Sequence, residues 1–247
     1  MIVSKKNRFV FIKTPKTAGS SLEFYLSQFC GKNDIITPLQ PDEEILKKKL
    51  SIPIKRNYII KKFSLKNFKK FKFTKKIVLH DHVSLKYLER HIKLNLKDYF
   101  IFAFVRNPFD WIVSHFWWNL YFYKIFEIRE INKLKKNEIK ILFKLYLNLN
   151  CSFFFSTVRQ MIESKNNKVK IFKFEDLTKN VIIIEKQLKL KKRKVDFADI
   201  NLKSLPIKSQ VRKKLKLDKN DVKLILKEGK YFFDQNKYSK IPPKNYI

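Results

Sequence analysis

The 247-residue chain is 45% hydrophobic and 15% aromatic, enough to bury the core of one large domain over residues 1–247. Its 2 cysteines, Cys30 and Cys151, exclude a disulfide-stapled scaffold, and its 3 glycines argue against long flexible linkers. The net charge of +34 fits a solvated basic face, then a polyanionic acceptor, then nucleic acid, in that order. Lys, Asn, Ile and Phe are over-used together, as in an AT-rich coding sequence, so much of the charge reads as drift on the surface.

In chain order, Phe9-Val10-Phe11-Ile12 is apolar on both faces, the pattern of a buried parallel strand. Leu22, Tyr25, Leu26 and Phe29 then recur at helical spacing. Between them lie Lys16, Thr17, Ala18, Gly19, Ser20 and Ser21. Small side chains before a helix N-terminus let backbone amides wrap an anion, and Lys16 adds a point charge. The loop is not a kinase P-loop, because its lysine precedes its only glycine, which disfavours a magnesium–ATP site. With the first strand within ten residues of Met1, no signal peptide or membrane anchor is expected, and the cytoplasm is the expected location.

Residues 31–74 read as an irregular basic insertion. From Lys55 to Lys76 there is no acidic residue, and Phe63, Phe68, Phe71 and Phe73 are interleaved with the lysines. Such a stretch suits a single-stranded nucleic acid or an anionic polysaccharide.

Ile77-Val78-Leu79 reads as a short buried strand, followed by a helix with Leu85, Leu88 and Ile92 on one face. His80 and His82 therefore stand at a strand's carboxyl end. An imidazole with a pKa of about 6.5 suits proton removal at neutral pH. The competing readings are two structural histidines or two metal ligands; no third ligand stands at suitable spacing, so no metal is expected.

Phe100 to Val105 is a further buried strand ending in Arg106, with Asn107 as a cap, Pro108 in the first helical turn and Ser114 eight residues beyond Arg106. Arginine's planar fork suits a phosphate, which a serine hydroxyl completes. The bland alternative pairs Arg106 with Asp110 and bonds Ser114 within its own helix. Residues 109–149 are helical and aromatic, with Trp117 and Trp118 near the presumed cleft, and Cys151 to Ile162 suggests another helix. Val169 to Phe174 reads as a fourth strand, EDLTKN opens a helix to about Leu190, Lys191 to Lys194 is a surface turn, and Asp218 to Phe233 is helical. His91 and His115 lie on helices and read as packing or surface residues.

P-K-T-A-G-S-S at residues 15–21, the R-N-P segment with Ser114, H-x-H-V-S from His80 and F-E-D-L from Phe174 together resemble sulfotransferases that use 3′-phosphoadenosine-5′-phosphosulfate (PAPS). The resemblance is to the carbohydrate type, nearest the uronyl and heparan sulfate 2-O-sulfotransferase branch. It implies a P-loop-like, three-layer α/β fold with a central parallel sheet of about five strands flanked by helices. It also implies PAPS as co-substrate without a metal, and a hydroxyl acceptor on a saccharide or an anionic polysaccharide. Residues 16–21 would hold the 5′-phosphosulfate, Arg106 and Ser114 the 3′-phosphate, and Lys16 the leaving oxygen. His82 would be the base, with His80 positioning it or touching the acceptor. Glu23 is a competing base, near a catalytic glutamate of some heparan sulfotransferases but one residue short of its spacing. A nucleotide kinase and a non-catalytic polyanion-binding protein are the other function classes carried forward.

Overall fold

The computed structural model describes every residue except 64–73, 93, 192, 193, 201, 203 and 204. Strand β1 (Ile2–Ser4) turns back antiparallel onto β2 (Phe9–Ile12), and β3 (Ile35–Ile36) lies antiparallel outside β1. β4 (Ile59–Phe63) and β5 (Thr74–Val78) form a separate two-stranded antiparallel sheet. β6 (Phe100–Val105) runs parallel to β2, and β7 (Lys170–Lys173) parallel to β6, completing a five-stranded sheet in the order β3-β1-β2-β6-β7.

The parallel arrangement expected of the whole sheet thus holds for β2, β6 and β7 only. β1 is antiparallel because residues 5–8 are too few for a crossover, which takes about a dozen. The Asp34 carboxylate holds that turn, accepting from the Lys5 and Lys6 amides at 2.8 and 3.1 Å and from the Ser4 hydroxyl at 2.8 Å. The short buried strand expected over Ile77-Val78-Leu79 belongs to the small sheet and ends at Val78, which is 39% exposed.

Alternation along β2 and β6 builds the three layers. Phe9, Phe11, Phe102 and Phe104 face one side and pack with Leu22, Tyr25 and Leu26 of α1 (Gly19–Ser27). Val181 and Ile184 of α7 (Leu177–Gln187) complete that layer. Val10, Ile12, Ile101, Ala103 and Val105 face the opposite core. That core is covered by α3 (Leu85–His91), α4 (Pro108–Phe122), α6 (Lys136–Ile162), α9 (Lys219–Glu228) and α10 (Lys230–Asn236). The remaining helices are α2 (Pro41–Lys49), inside the supposedly irregular insertion, α5 (Ile128–Ile131) and α8 (Ser209–Arg212). Phe68, Phe71 and Phe73 lie outside the described residues.

The expected break before Cys151 does not occur. Asn150 donates to the Tyr146 carbonyl at 3.1 Å, so the polar residue bonds one turn back and α6 continues. α6 is long and apolar enough to cross a membrane by length and composition, yet Phe143, Leu147, Cys151, Phe154, Phe155 and Val158 line the core. The expected helix over 218–233 divides at Gly229, where a Cβ would lie 2.8 Å from the Ile225 carbonyl and 3.2 Å from Pro108 Cβ. This close approach seats α9 and α10 on the start of α4.

Candidate active site

The parallel register pairs Ile12 with Ala103, so the loops after β2 and β6 open on one edge of the sheet. The first loop is fastened from three directions. Thr14 donates to the Phe104 carbonyl at 2.5 Å, Thr17 to the Thr14 carbonyl at 3.0 Å, and the Trp111 indole N–H to the Pro15 carbonyl at 2.6 Å. Lys16 and Ala18 take left-handed φ values of 59° and 55°. Gly19 does not; its role is space, since a Cβ there would meet Lys13 Cγ at 2.6 Å.

Ala18 caps α1 with no side-chain bond, so the cap supplies no acceptor for the first-turn amides of Gly19, Ser20 and Ser21. The Ser20 and Ser21 hydroxyls make no hydrogen bond among the described residues. A helix end of this kind is suited to an anion. The Thr17 hydroxyl is engaged within the loop, which leaves its amide for a ligand.

On the neighbouring strand, Arg106 stacks over Phe174 at 4.6 Å, and its Nε is buried without a partner among the described residues. Asp110 accepts from Tyr246 at 2.8 Å, and the described residues contain no Arg106–Asp110 pair. Ser114 makes no side-chain bond to a described residue, so neither half of the bland alternative is seen. The F-E-D-L segment explains how Arg106 is held. Phe174 supplies the stacking face, while Glu175 accepts from the Asn107 amide at 2.7 Å and from Tyr238 at 2.8 Å.

The third element arrives from after β5. His82 Nδ1 lies 2.8 Å from the Lys13 carbonyl, just past β2, while Nε2 lies 3.4 Å from Asp81 Oδ2. A carbonyl only accepts, so Nδ1 carries the proton and the neutral ring presents Nε2 as its basic nitrogen. Packing lowers the imidazole pKa below its ordinary value, Asp81 opposes that, and the Lys13 charge reinforces it; with 45% of the side chain exposed, solvent moderates all three. His80 is exposed and makes no bond to a described residue. His82 is therefore positioned by Lys13 and Asp81 rather than by His80.

Lys13, only 3% exposed, lies 3.1 Å from both Glu23 and Asp81. Although partial burial opposes it, Lys13 helps hold the Asp81 carboxyl down at about 2. Glu23 is fully buried, 2.9 Å from the Met1 ammonium and accepting from Thr37 at 2.6 Å. Burial pushes its pKa up, but the Met1 amino group, Lys13 and the Thr37 hydroxyl win and hold it below the usual carboxylate range, while burial lowers the Met1 amino pKa itself to about 5. Glu23 is thus a structural counter-ion without access to an acceptor, which removes it as a competing base.

Lys16 Nζ sits 4.2 Å above the Trp118 ring, and Trp118 stacks on Phe122 at 5.3 Å. Trp118 thus lies beside the anion loop, whereas Trp117 is core at 2% exposure. His115 packs on Phe154 and bonds Tyr146 and Asn119. Burial, then the charges of Lys16 and His82, lower its pKa to about 4, so it is neutral at neutral pH. Lys13, Asp81 and Trp111 were missed in the sequence. The available signals were a lysine closing an apolar strand and an aspartate between two histidines.

A helix N-terminus suited to an anion with Lys16 before it, Arg106 just past β6, Ser114 on α4 and the imidazole of His82 after β5 are residue types suited to group transfer on an α/β frame. Over residues 1–238 the chain matches the sulfotransferase family, and it belongs to that family. Its general activity is accordingly sulfuryl transfer to a hydroxyl-bearing acceptor. No curated protein and no solved structure gave a match.

Proposed function

We propose that this sulfotransferase uses PAPS as donor and a carbohydrate hydroxyl as acceptor, with His82 as general base. The observation that carries the donor is Arg106, just past β6, whose buried Nε has no partner among the described residues, as the Ser114 hydroxyl on α4 has none among them. A buried guanidinium nitrogen without an acceptor costs stability unless a ligand satisfies it, and a nucleotide 3′-phosphate fits that need. The uncapped first turn of α1 and the left-handed Lys16 and Ala18 provide the second anion position.

When bound, the donor supplies an activated sulfuryl group. The amides of residues 17–21 and the Ser20 and Ser21 hydroxyls hold its 5′ end, and Lys16 places positive charge where the leaving oxygen becomes negative. His82 Nε2 takes the proton from the acceptor hydroxyl as the oxygen attacks. The imidazolium that results has Asp81 Oδ2 at 3.4 Å to stabilise it and the Lys13 carbonyl to fix its orientation. Such a base contributes about 10²- to 10⁴-fold.

The test is transfer of radiolabelled sulfate from PAPS to a panel of hydroxylated saccharides with magnesium chelated. Label should pass to a saccharide and be lost in Lys16→Ala. Transfer of the ATP γ-phosphate dependent on magnesium would replace this reading with a kinase.

A further inference from the structure

The turn that ends α4 carries the sequence Tyr121-Phe122-Tyr123-Lys124-Ile125-Phe126, without an acidic residue. Phe122 is 50% exposed, Tyr123 68% and Ile125 56%, and Lys124, also exposed, has a left-handed φ of 49° that makes the tip. Glu127, the first acidic residue beyond it, caps α5 through a reciprocal bond set with Glu130. Exposed apolar side chains scattered singly are ordinary, but a contiguous aromatic tip on a soluble surface marks an interaction site.

We infer that this tip inserts into the surface of an anionic lipid bilayer and so brings the cleft to lipid headgroups. Three observations select that occupant. Phe122 and Ile125 offer hydrocarbon without hydrogen-bonding capacity, which suits acyl chains better than a saccharide. Two tyrosines and a lysine flank them, the chemistry that settles at headgroup depth. A chain of net charge +34 is attracted by an anionic surface and repelled by a second copy of itself. The tip is also joined to the reacting centre. Phe122 stacks on Trp118 at 5.3 Å and 19°, and Lys16 Nζ lies 4.2 Å above Trp118. Placing the acceptor's carbohydrate hydroxyl on a lipid rests on the sulfuryl-transfer reading; docking itself does not.

The test is co-sedimentation of the full chain with vesicles of phosphatidylcholine alone or mixed with phosphatidylglycerol, which needs no catalysis. The chain should sediment with the mixed vesicles, and the double variant Phe122→Ser/Ile125→Ser should weaken that partition about tenfold or more. Leu149→Ser, at a barer site on α6 (77% exposed), should partition as the parent does. Equal partition of parent and double variant would reduce the effect to bulk charge and overturn the proposal. So would equal losses in the double variant and Leu149→Ser, or a parent dimer that the double variant dissolves. If docking holds while no sulfate transfer is found, only the acceptor assignment falls.

Discussion

Replacing Lys13 with methionine tests the electrostatic frame beneath the candidate base. The ammonium lies 3.1 Å from Glu23 and 3.1 Å from Asp81 at 3% exposure. At an effective dielectric of about 20 each contact is worth about 5 kcal/mol before desolvation, and breaking a buried pair costs about 3–5 kcal/mol net. Glu23 keeps the bonds from Thr37 and from the Met1 amino group, whose own pKa burial lowers to about 5, which puts its share at the low end, about 3 kcal/mol. Asp81 is 36% exposed, so its share is screened to no more than about 1 kcal/mol. Lys13→Met should therefore lose about 3–4 kcal/mol in urea denaturation at neutral pH.

The sign with pH follows from two depressed carboxyls. Their stabilisation is present above the unfolded value of about 4 and is lost as pH falls through the folded values, about 2 for Asp81. Parent and variant should converge as pH falls below about 4. The variant keeps the backbone carbonyl that His82 bonds but loses the cation that lowers its pKa, so the imidazole should titrate higher by NMR. A loss under about 1 kcal/mol, or one constant with pH, would refute the reasoning.

Three further outcomes are expected. His82→Asn should cut kcat about 10²- to 10⁴-fold with nucleotide affinity unchanged, and the acid limb of the parent pH–rate profile should fall below about 6.5, both checked by steady-state kinetics. Trp111→Phe strips the Pro15 carbonyl of its donor and should cost about 1–3 kcal/mol, read by denaturation alongside weaker nucleotide binding by calorimetry. Gly229→Ala forces a Cβ to 2.8 Å from a backbone oxygen and should lower stability by about 1–3 kcal/mol, visible as a reduced Tm.

What the sequence made legible had local patterns. Two apolar runs ending in charged loops placed β2 and β6, and the small residues before Leu22 placed the anion loop. The rest depended on contacts that spacing does not encode. β1 and β3, at 3 and 2 residues, are too short to show a period, and they alone make the sheet mixed. Ile77 and Val78 were apolar enough for a buried strand, and only the structure shows them in the small sheet with Val78 exposed. Lys13 and Asp81 meet across 68 positions, and Glu23 lost its catalytic reading because its carboxylate is the buried partner of that same lysine.

The central claim is that the nucleotide site reads a 3′-phosphate, and calorimetric titration with 3′,5′-ADP, 5′-AMP and ATP, each with and without magnesium, tests it most directly. Binding of 3′,5′-ADP well above the other two, independent of magnesium and lost in Arg106→Ala, is the expected result. Equal weak binding of all three, unchanged by Arg106→Ala and suppressed by salt, would contradict it and leave only the bulk charge of +34.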